Sequence, residues 1–208
     1  MYRQYERGIS FESLVHFPDM LKKIIFYFLL VTLATIEANS QDAMLPALNQ
    51  LQWNEFYKLQ WEDFQGEPDQ ESHGDAATAV LISAKPFLVK KEIHYEVVAL
   101  FNRSKSWARD KSPSLLVHEQ LHFDIAELYA RRIRKKIREL NAEGIKDVKI
   151  YNAAIRALLF ESNEADEQYD LETLHGALSK KQAAWSEKVM REMASLQRYK
   201  KPKRIVGG

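Results

Sequence analysis

The chain contains no cysteine. That absence excludes a disulfide framework, a Cys-ligated zinc ribbon and a thiol nucleophile, and it permits export to an oxidising compartment without mispairing. Net charge is also scarce: 30 Lys and Arg face 29 Asp and Glu, leaving +1. Such a balance gives no electrostatic footprint for nucleic acid or an acidic membrane. The one basic concentration, Arg198 to Arg204, reads as part of a solvated, flexible tail over residues 198–208. Glycine (7) and proline (6) are few, and no repeat, low-complexity stretch or linker interrupts the chain. With 46% hydrophobic and 28% charged residues, the composition is that of an ordinary globular protein, large enough to bury a core without staples.

Long apolar runs are absent but for one, Ile24 to Ala34. As a helix it would rise about 16 Å, short of the roughly 30 Å of a bilayer's hydrocarbon core. Lys22 and Lys23 precede it and a small-x-small sequence, Ala38 to Ser40, follows. That is the pattern of a secretory signal peptide cleaved after Ser40. Met20 stands immediately before it, so translation is expected to begin there. The expected organisation is therefore residues 1–40 as upstream sequence plus signal, 41–197 as a single domain, and 198–208 as the tail. The mature protein is expected to be secreted or periplasmic and to lack a stable membrane span.

The first half of the mature chain has strand character. Glu55–Trp61 is short and aromatic-rich and ends in a Gly66/Pro68 turn. Ala77–Ala84 and Lys91–Asn102 are both suited to strands, with Pro86 placed in their connection. In the second of these, Ile93, Tyr95, Val97, Ala99 and Phe101 alternate on the face expected to be buried. The second half has helix character. Ser112 and Pro113 make a helix start, and apolar residues recur at helical spacing to about Leu140. Further helices are expected at about Val148–Gln168 and Leu178–Leu196. Trp107 and Trp185 are read as core. Strands first and helices after give an α+β domain, a small antiparallel sheet packed on about three helices.

The chemistry is carried by His118-Glu119-Gln120-Leu121-His122, an H-E-x-x-H pattern on a predicted helix. Residues four apart are only about 40° apart round a helix, so both imidazoles leave one face one turn apart and can share one Zn²⁺. Glu119 lies about 100° round from His118, beside the metal without ligating it, where it can take a proton from water. Leu115, Leu116, Val117, Leu121, Phe123 and Ile125 make the helix apolar around much of its girth. Histidines and a glutamate in such surroundings are costly unless a metal compensates them.

A catalytic zinc needs a third protein ligand. On the same helix, Asp124 and Glu127 are misdirected, so the ligand is expected from elsewhere. His16 precedes the signal and His73 and His94 lie on a loop and a strand. His175, in the polar junction Tyr169–Gly176, is the choice, with Asp170, Glu172 and Glu164 as lesser candidates. Tyr169 is assigned an oxyanion-stabilising, catalytic role. Lys91–Asn102 is expected to offer an edge to which an extended peptide adds.

These residues resemble an uncharacterised bacterial family of secreted zinc-dependent proteases, a domain of unknown function. The resemblance rests on HEQLHFDI (118–125), on Trp61-x-Asp63-Phe64-x-Gly66-x-Pro68 upstream and on Tyr169-Asp170-x-Glu172-Thr173-x-His175 downstream, and it spans about Leu51 to Trp185. It implies a zincin-like fold with His118, Glu119 and His122 at its core and draws attention to Asp170, Glu172 and His175. Trp61, Asp63 and Gly66 are explained by turn formation and a packed indole. The expected function is an exported zinc endopeptidase acting on a peptide or protein substrate. The alternatives are a zinc amidohydrolase acting on cell-wall or other non-protein amides, and a non-catalytic zinc-binding module of zincin fold. The sequence sets no oligomeric state.

Overall fold

β-Branched and aromatic residues at period two dominate the first half of the chain, and in the computed structural model, which describes residues 49–72, 74–89 and 92–201, they form a sheet. β1 (Gln50–Gln52), β2 (Ala76–Ala77), β3 (Val80–Val89), β4 (Glu92–Asn102) and β5 (Trp107–Ala108) follow in order. The main sheet has the order β1-β4-β3, antiparallel throughout, and β2 pairs with β5 in a small second ribbon. Of the expected inner face of β4, Val97, Ala99 and Phe101 are all at 3% exposure or less, while Ile93 and Tyr95 are half-buried.

Two differences from the expected strands have simple causes. Glu55–Trp61 is not a strand: it is irregular chain that closes in a 3₁₀ turn at Trp61–Asp63. Asp63 holds that turn, accepting hydrogen bonds from the Gln60 amide (2.9 Å), the Tyr57 hydroxyl (2.7 Å) and Arg103 Nη2 (2.8 Å). Pro86 lies inside β3 and not in a connection. Among the described residues β3 pairs on one side only, with β4, and an edge strand tolerates a residue without an N–H. β4 is central only over Leu100–Asn102, where β1 pairs with it, so among the described residues an edge stays open along the whole of β3 as well as beside the part of Lys91–Asn102 that precedes Leu100.

The helices fall close to their expected places: α1 (Pro113–Ala142), α2 (Val148–Thr173) and α3 (Ser179–Ser195). Pro113 opens α1 as anticipated, although the Ser112 hydroxyl lies 3.4 Å from that of Ser114 and caps no backbone amide. Asp147 caps α2 by accepting from the Lys149 amide at 2.9 Å. The long helix α1 is the keel of the domain, with a core on either side. Phe123, Ala126, Ala130 and Ile133 pack on Val97, Ala99 and Phe101 of the sheet. Leu121, Ile125 and Leu128 pack on Tyr169 of α2 and on Trp185 and Val189 of α3. Each such large apolar side chain contributes about 1.5–3 kcal/mol relative to exposure. The architecture is α+β, an N-terminal antiparallel sheet against three C-terminal helices, in the zincin-like arrangement expected.

The expected export signal, residues 1–40 with Met20, lies outside the described residues, as do His73 and residues 202–208. No helix among the described residues is long and apolar enough to cross a membrane. Arg198–Lys201, assigned to the tail, are packed on the domain. Tyr199 is buried, its carbonyl accepts from Arg134 Nη1 at 2.8 Å, and Lys201 pairs with Glu96 at 2.9 Å. The basic composition of this segment concealed that its one aromatic ring and its carbonyls have partners waiting.

Candidate metal centre

His118 and His122 leave α1 one turn apart, as their spacing requires, and both are buried. Across from them α2 presents Asp166 and Asp170, also four residues apart and therefore also on one face. The two pairs interlock. Asp170 Oδ1 lies 3.0 Å from His118 Nε2 and 3.1 Å from His122 Nε2, and the two Nε2 atoms are 3.3 Å apart. Asp166 Oδ1 takes the other nitrogen of His122, Nδ1, at 2.7 Å. The other nitrogen of His118, Nδ1, faces the side-chain carbonyl of Gln182 on α3 at 3.1 Å.

This arrangement fits a zinc ion. Tetrahedral zinc with bonds of about 2.0–2.1 Å separates its ligand atoms by about 3.3 Å. The triangle of His118 Nε2, His122 Nε2 and Asp170 Oδ1, with edges of 3.0–3.3 Å, is close to one face of that tetrahedron. With Nδ1 of each histidine donating a hydrogen bond, to Asp166 and to Gln182, both Nε2 lone pairs are directed at the shared point. Among the described residues, this is the one group of His and acidic side chains close enough to hold a metal.

The electrostatics follow the same logic. Burial alone would lower the pKa of His122, but Asp166 and Asp170 overcome it and push it up to about 10. Burial alone would raise Asp170, yet hydrogen bonds from His118 and His122 hold it well below the usual carboxylate range. Two acids and two imidazoles thus form a site that demands positive charge, supplied by protons or by a divalent ion.

Glu119 is different. It is 3% exposed and its Oε2 makes no hydrogen bond. Burial pushes its carboxyl up from the ordinary value, against the pull of His122, the Thr78 hydroxyl and His118. A buried, unsatisfied carboxylate oxygen costs on the order of 1–3 kcal/mol, more for a charged group. It is tolerated here on the wall of a cleft of about 710 Å³ that Glu119 shares with His118, His122 and Asp170. A smaller cleft of about 190 Å³ shares His122, Asp166 and Thr78 with it and continues along Val80–Ile82 of the edge strand β3.

Two expected site residues take other places. His175 is not in the three-residue group: its side chain is 73% exposed, with Nδ1 3.5 Å from Asp170 Oδ2, on the rim of the cleft. The reason is that α2 runs to Thr173, past its expected end at Gln168, so that Asp170 sits on helix and faces inward. His175 falls beyond the helix in a left-handed turn, with φ of 48° at Leu174, 51° at His175 and 84° at Gly176. Gly176 is required there twice over, since a Cβ would also come within 3.0 Å of the His118 ring. Tyr169 is not directed at the cleft. It is fully buried, its ring stacks on His118 (4.7 Å between centroids), and its hydroxyl donates to Gln182 Oε1 (2.6 Å) and to the His118 carbonyl (3.2 Å). Burial raises its pKa, which keeps the phenol a donor. It braces His118 and does not reach a substrate.

Of the lesser candidates, Glu172 accepts from Trp185 Nε1 at 2.9 Å and from Gln168 Nε2 at 2.7 Å, and Glu164 is an exposed residue of α2. Sequence reasoning missed Asp166 and Gln182. Asp166 had a signal, its four-residue spacing from Asp170. Gln182 had none, because only the turn between α2 and α3 brings it under His118.

Residues 98–176 match a bacterial protein family of unknown function (DUF922). The match takes in β4 from Val98, all of α1 and α2, and the turn through Gly176, and with them His118, Glu119, His122, Asp166 and Asp170. The upstream Trp61–Pro68 segment and Gln182 lie outside it. No curated protein and no solved structure is significantly similar to the chain.

Proposed function

We propose that the chain is an exported zinc-dependent endopeptidase in which His118, His122 and Asp170 hold the metal and Glu119 is the general base. The observation that carries this reading is the unpartnered Oε2 of Glu119, buried beside a ready-made His/His/Asp triangle on the wall of an open cleft. A structural metal site has no use for such a group. Asp170 replaces His175 in the ligand set because it is the residue within reach. Zinc, when bound, supplies the Lewis acidity that makes water nucleophilic near neutral pH and polarises a carbonyl.

Glu119 then receives a proton from the attacking water as its oxygen adds to the scissile carbonyl carbon. It returns that proton to the amide nitrogen as the C–N bond breaks, and the water's second proton passes from the new carboxyl group to the released amine, giving a carboxylate and an ammonium. Asp166 and Gln182 keep the Nδ1 protons of the two histidines in place throughout. Tyr169 holds Gln182 and the backbone of His118. The cleft running past Val80–Ile82 supports an extended substrate, whose backbone can pair with the open edge of β3. In the same reading translation begins at Met20, and residues 20–40 deliver the domain to the periplasm or medium. The N-terminal sequence and mass of the protein recovered from those fractions test that part.

The decisive experiment pairs zinc content with hydrolysis of a quenched peptide library. The wild-type protein binds one zinc and cleaves, whereas Glu119→Gln retains the zinc and cleaves about 10²–10⁴-fold more slowly. Zinc binding with no cleavage of any peptide by wild type would overturn the endopeptidase reading.

A further inference from the structure

The cleft over the metal centre has an acidic end that the chemistry above does not use. Asp75 immediately precedes β2 and Asp110 follows β5 by two residues. The β2–β5 pairing brings them together, since the Asp75 carbonyl accepts from the amides of Arg109 (2.7 Å) and Asp110 (3.2 Å). Both side chains are exposed, both line the cleft, and neither has a hydrogen-bonding or ionic partner among the described residues.

No described lysine or arginine lines this cleft. Arg109, next to Asp110 in the chain, donates to the carbonyls of Asp69, Ser72 and Gly74 and so pins the loop that forms the wall. The other acids of the cleft are committed, Asp166 and Asp170 to the histidines and Glu119 to the reacting water. The unpartnered Oε2 of Glu119, on a residue 97% buried, independently marks this cleft as the place a ligand occupies. Leu115 and Leu174 add apolar wall, against which a long aliphatic stem can lie while its charged head stays in water.

We propose that Asp75 and Asp110 form a specificity site for a cationic side chain, so that the substrates are peptides with Lys or Arg close to the scissile bond. This rests on the hydrolase reading and names its substrate class. Complementary charge raises encounter and rejects acidic sequences through unpaired like charges. The effect is electrostatic and solvent-exposed, so it weakens as salt shortens the screening length from about 10 Å at 0.1 M to about 3 Å at 1 M.

The test uses zinc-loaded protein and three quenched peptides identical except for Lys, Gln or Glu beside the scissile bond. Cleavage of the Gln peptide reports the hydrolase reading alone, and the Lys-to-Gln ratio of kcat/KM reports the specificity site. The expected ratio is about tenfold at low salt, falling toward unity at about 1 M salt. In Asp75→Asn/Asp110→Asn the ratio falls to near one, and in Asp75→Lys/Asp110→Lys the order inverts so that the Glu peptide is preferred. Equal ratios in wild type, or a lysine preference that survives the double asparagine variant, would overturn the proposal. Should no peptide be cleaved, binding of the Lys and Glu peptides to zinc-loaded Glu119→Gln by fluorescence anisotropy decides. Tighter binding of the Lys peptide supports the site, and equal binding refutes it.

Discussion

Helix α1 buries two charged clusters barely two turns apart, and they are finished in opposite ways. At Glu127 every need is met. Arg131 Nε donates to one carboxylate oxygen (2.9 Å) and Arg134 Nη2 to the other (3.0 Å), while the spare guanidinium protons go to the carbonyls of Met193 (2.7 Å), Val97 (3.1 Å) and Tyr199 (2.8 Å). That cluster ties α1 to α3, to β4 and to the C-terminal turn. At His118–His122 the cluster is built equally closely on three sides, yet the Glu119 oxygen is left without a partner on an open cleft. Buried charge thus serves cohesion where satisfaction is complete, whereas at the histidine cluster Glu119 Oε2 and Gln182 Nε2 are both left without a partner.

The contrast can be broken most forcefully at the triangle itself. Asp170→Ala should abolish tight zinc binding, whereas His175→Ala should leave it intact. Competition against a chromogenic chelator checks both, and the reverse result would hand the third position to His175. Next in size, Glu127→Ala should cost about 3–5 kcal/mol of stability, because it strands the buried Arg131 guanidinium and the half-buried one of Arg134. Urea denaturation measures this. Glu119→Gln should lose no stability by the same assay while losing activity, since it removes a charge with an unmet need. A smaller effect is expected at Gln182→Leu, which deletes the acceptor that fixes the His118 tautomer: zinc affinity should fall about 10–100-fold. Gln182→Glu, which keeps an acceptor there, should recover most of it. Of similar size is Gly176→Ala, where a positive φ and a close approach to the His118 ring should cost about 1–3 kcal/mol of stability in the metal-free protein, read by urea denaturation.

How much of this could be read from the sequence varied with how local the determinants were. The three helices and the buried face of β4 follow from periodicity, which is a property of consecutive residues. The two histidines of the candidate metal site and Glu119 follow from spacing on one helix. The third ligand did not, because its identity depends on where α2 stops. An end at Gln168 would leave His175 and Asp170 equal candidates in one loop, but the helix continues to Thr173 and turns Asp170 inward. The Asp166/Asp170 spacing of four carried that information, since it repeats on α2 the pattern of His118/His122 on α1. Pro86 misled for a related reason. Proline disfavours strands in general, and only the strand order shows that β3 is an edge. The roles of Tyr169 and Gln182 are tertiary and had no local signature at all.

The left-handed run Leu174–His175–Gly176 reverses the chain in very little length, and this makes the spacing between two helices part of the metal centre. Asp170 sits before the turn and Gln182 after it, and each contacts His118 from its own side. One extra residue in that turn would rotate Gln182 by about 100° about its helix axis. Loops elsewhere on the surface can change length independently, but here a single insertion would dismantle ligand and support together. Homologous chains that keep the chemistry should therefore conserve the number of residues in this segment more strictly than their identity.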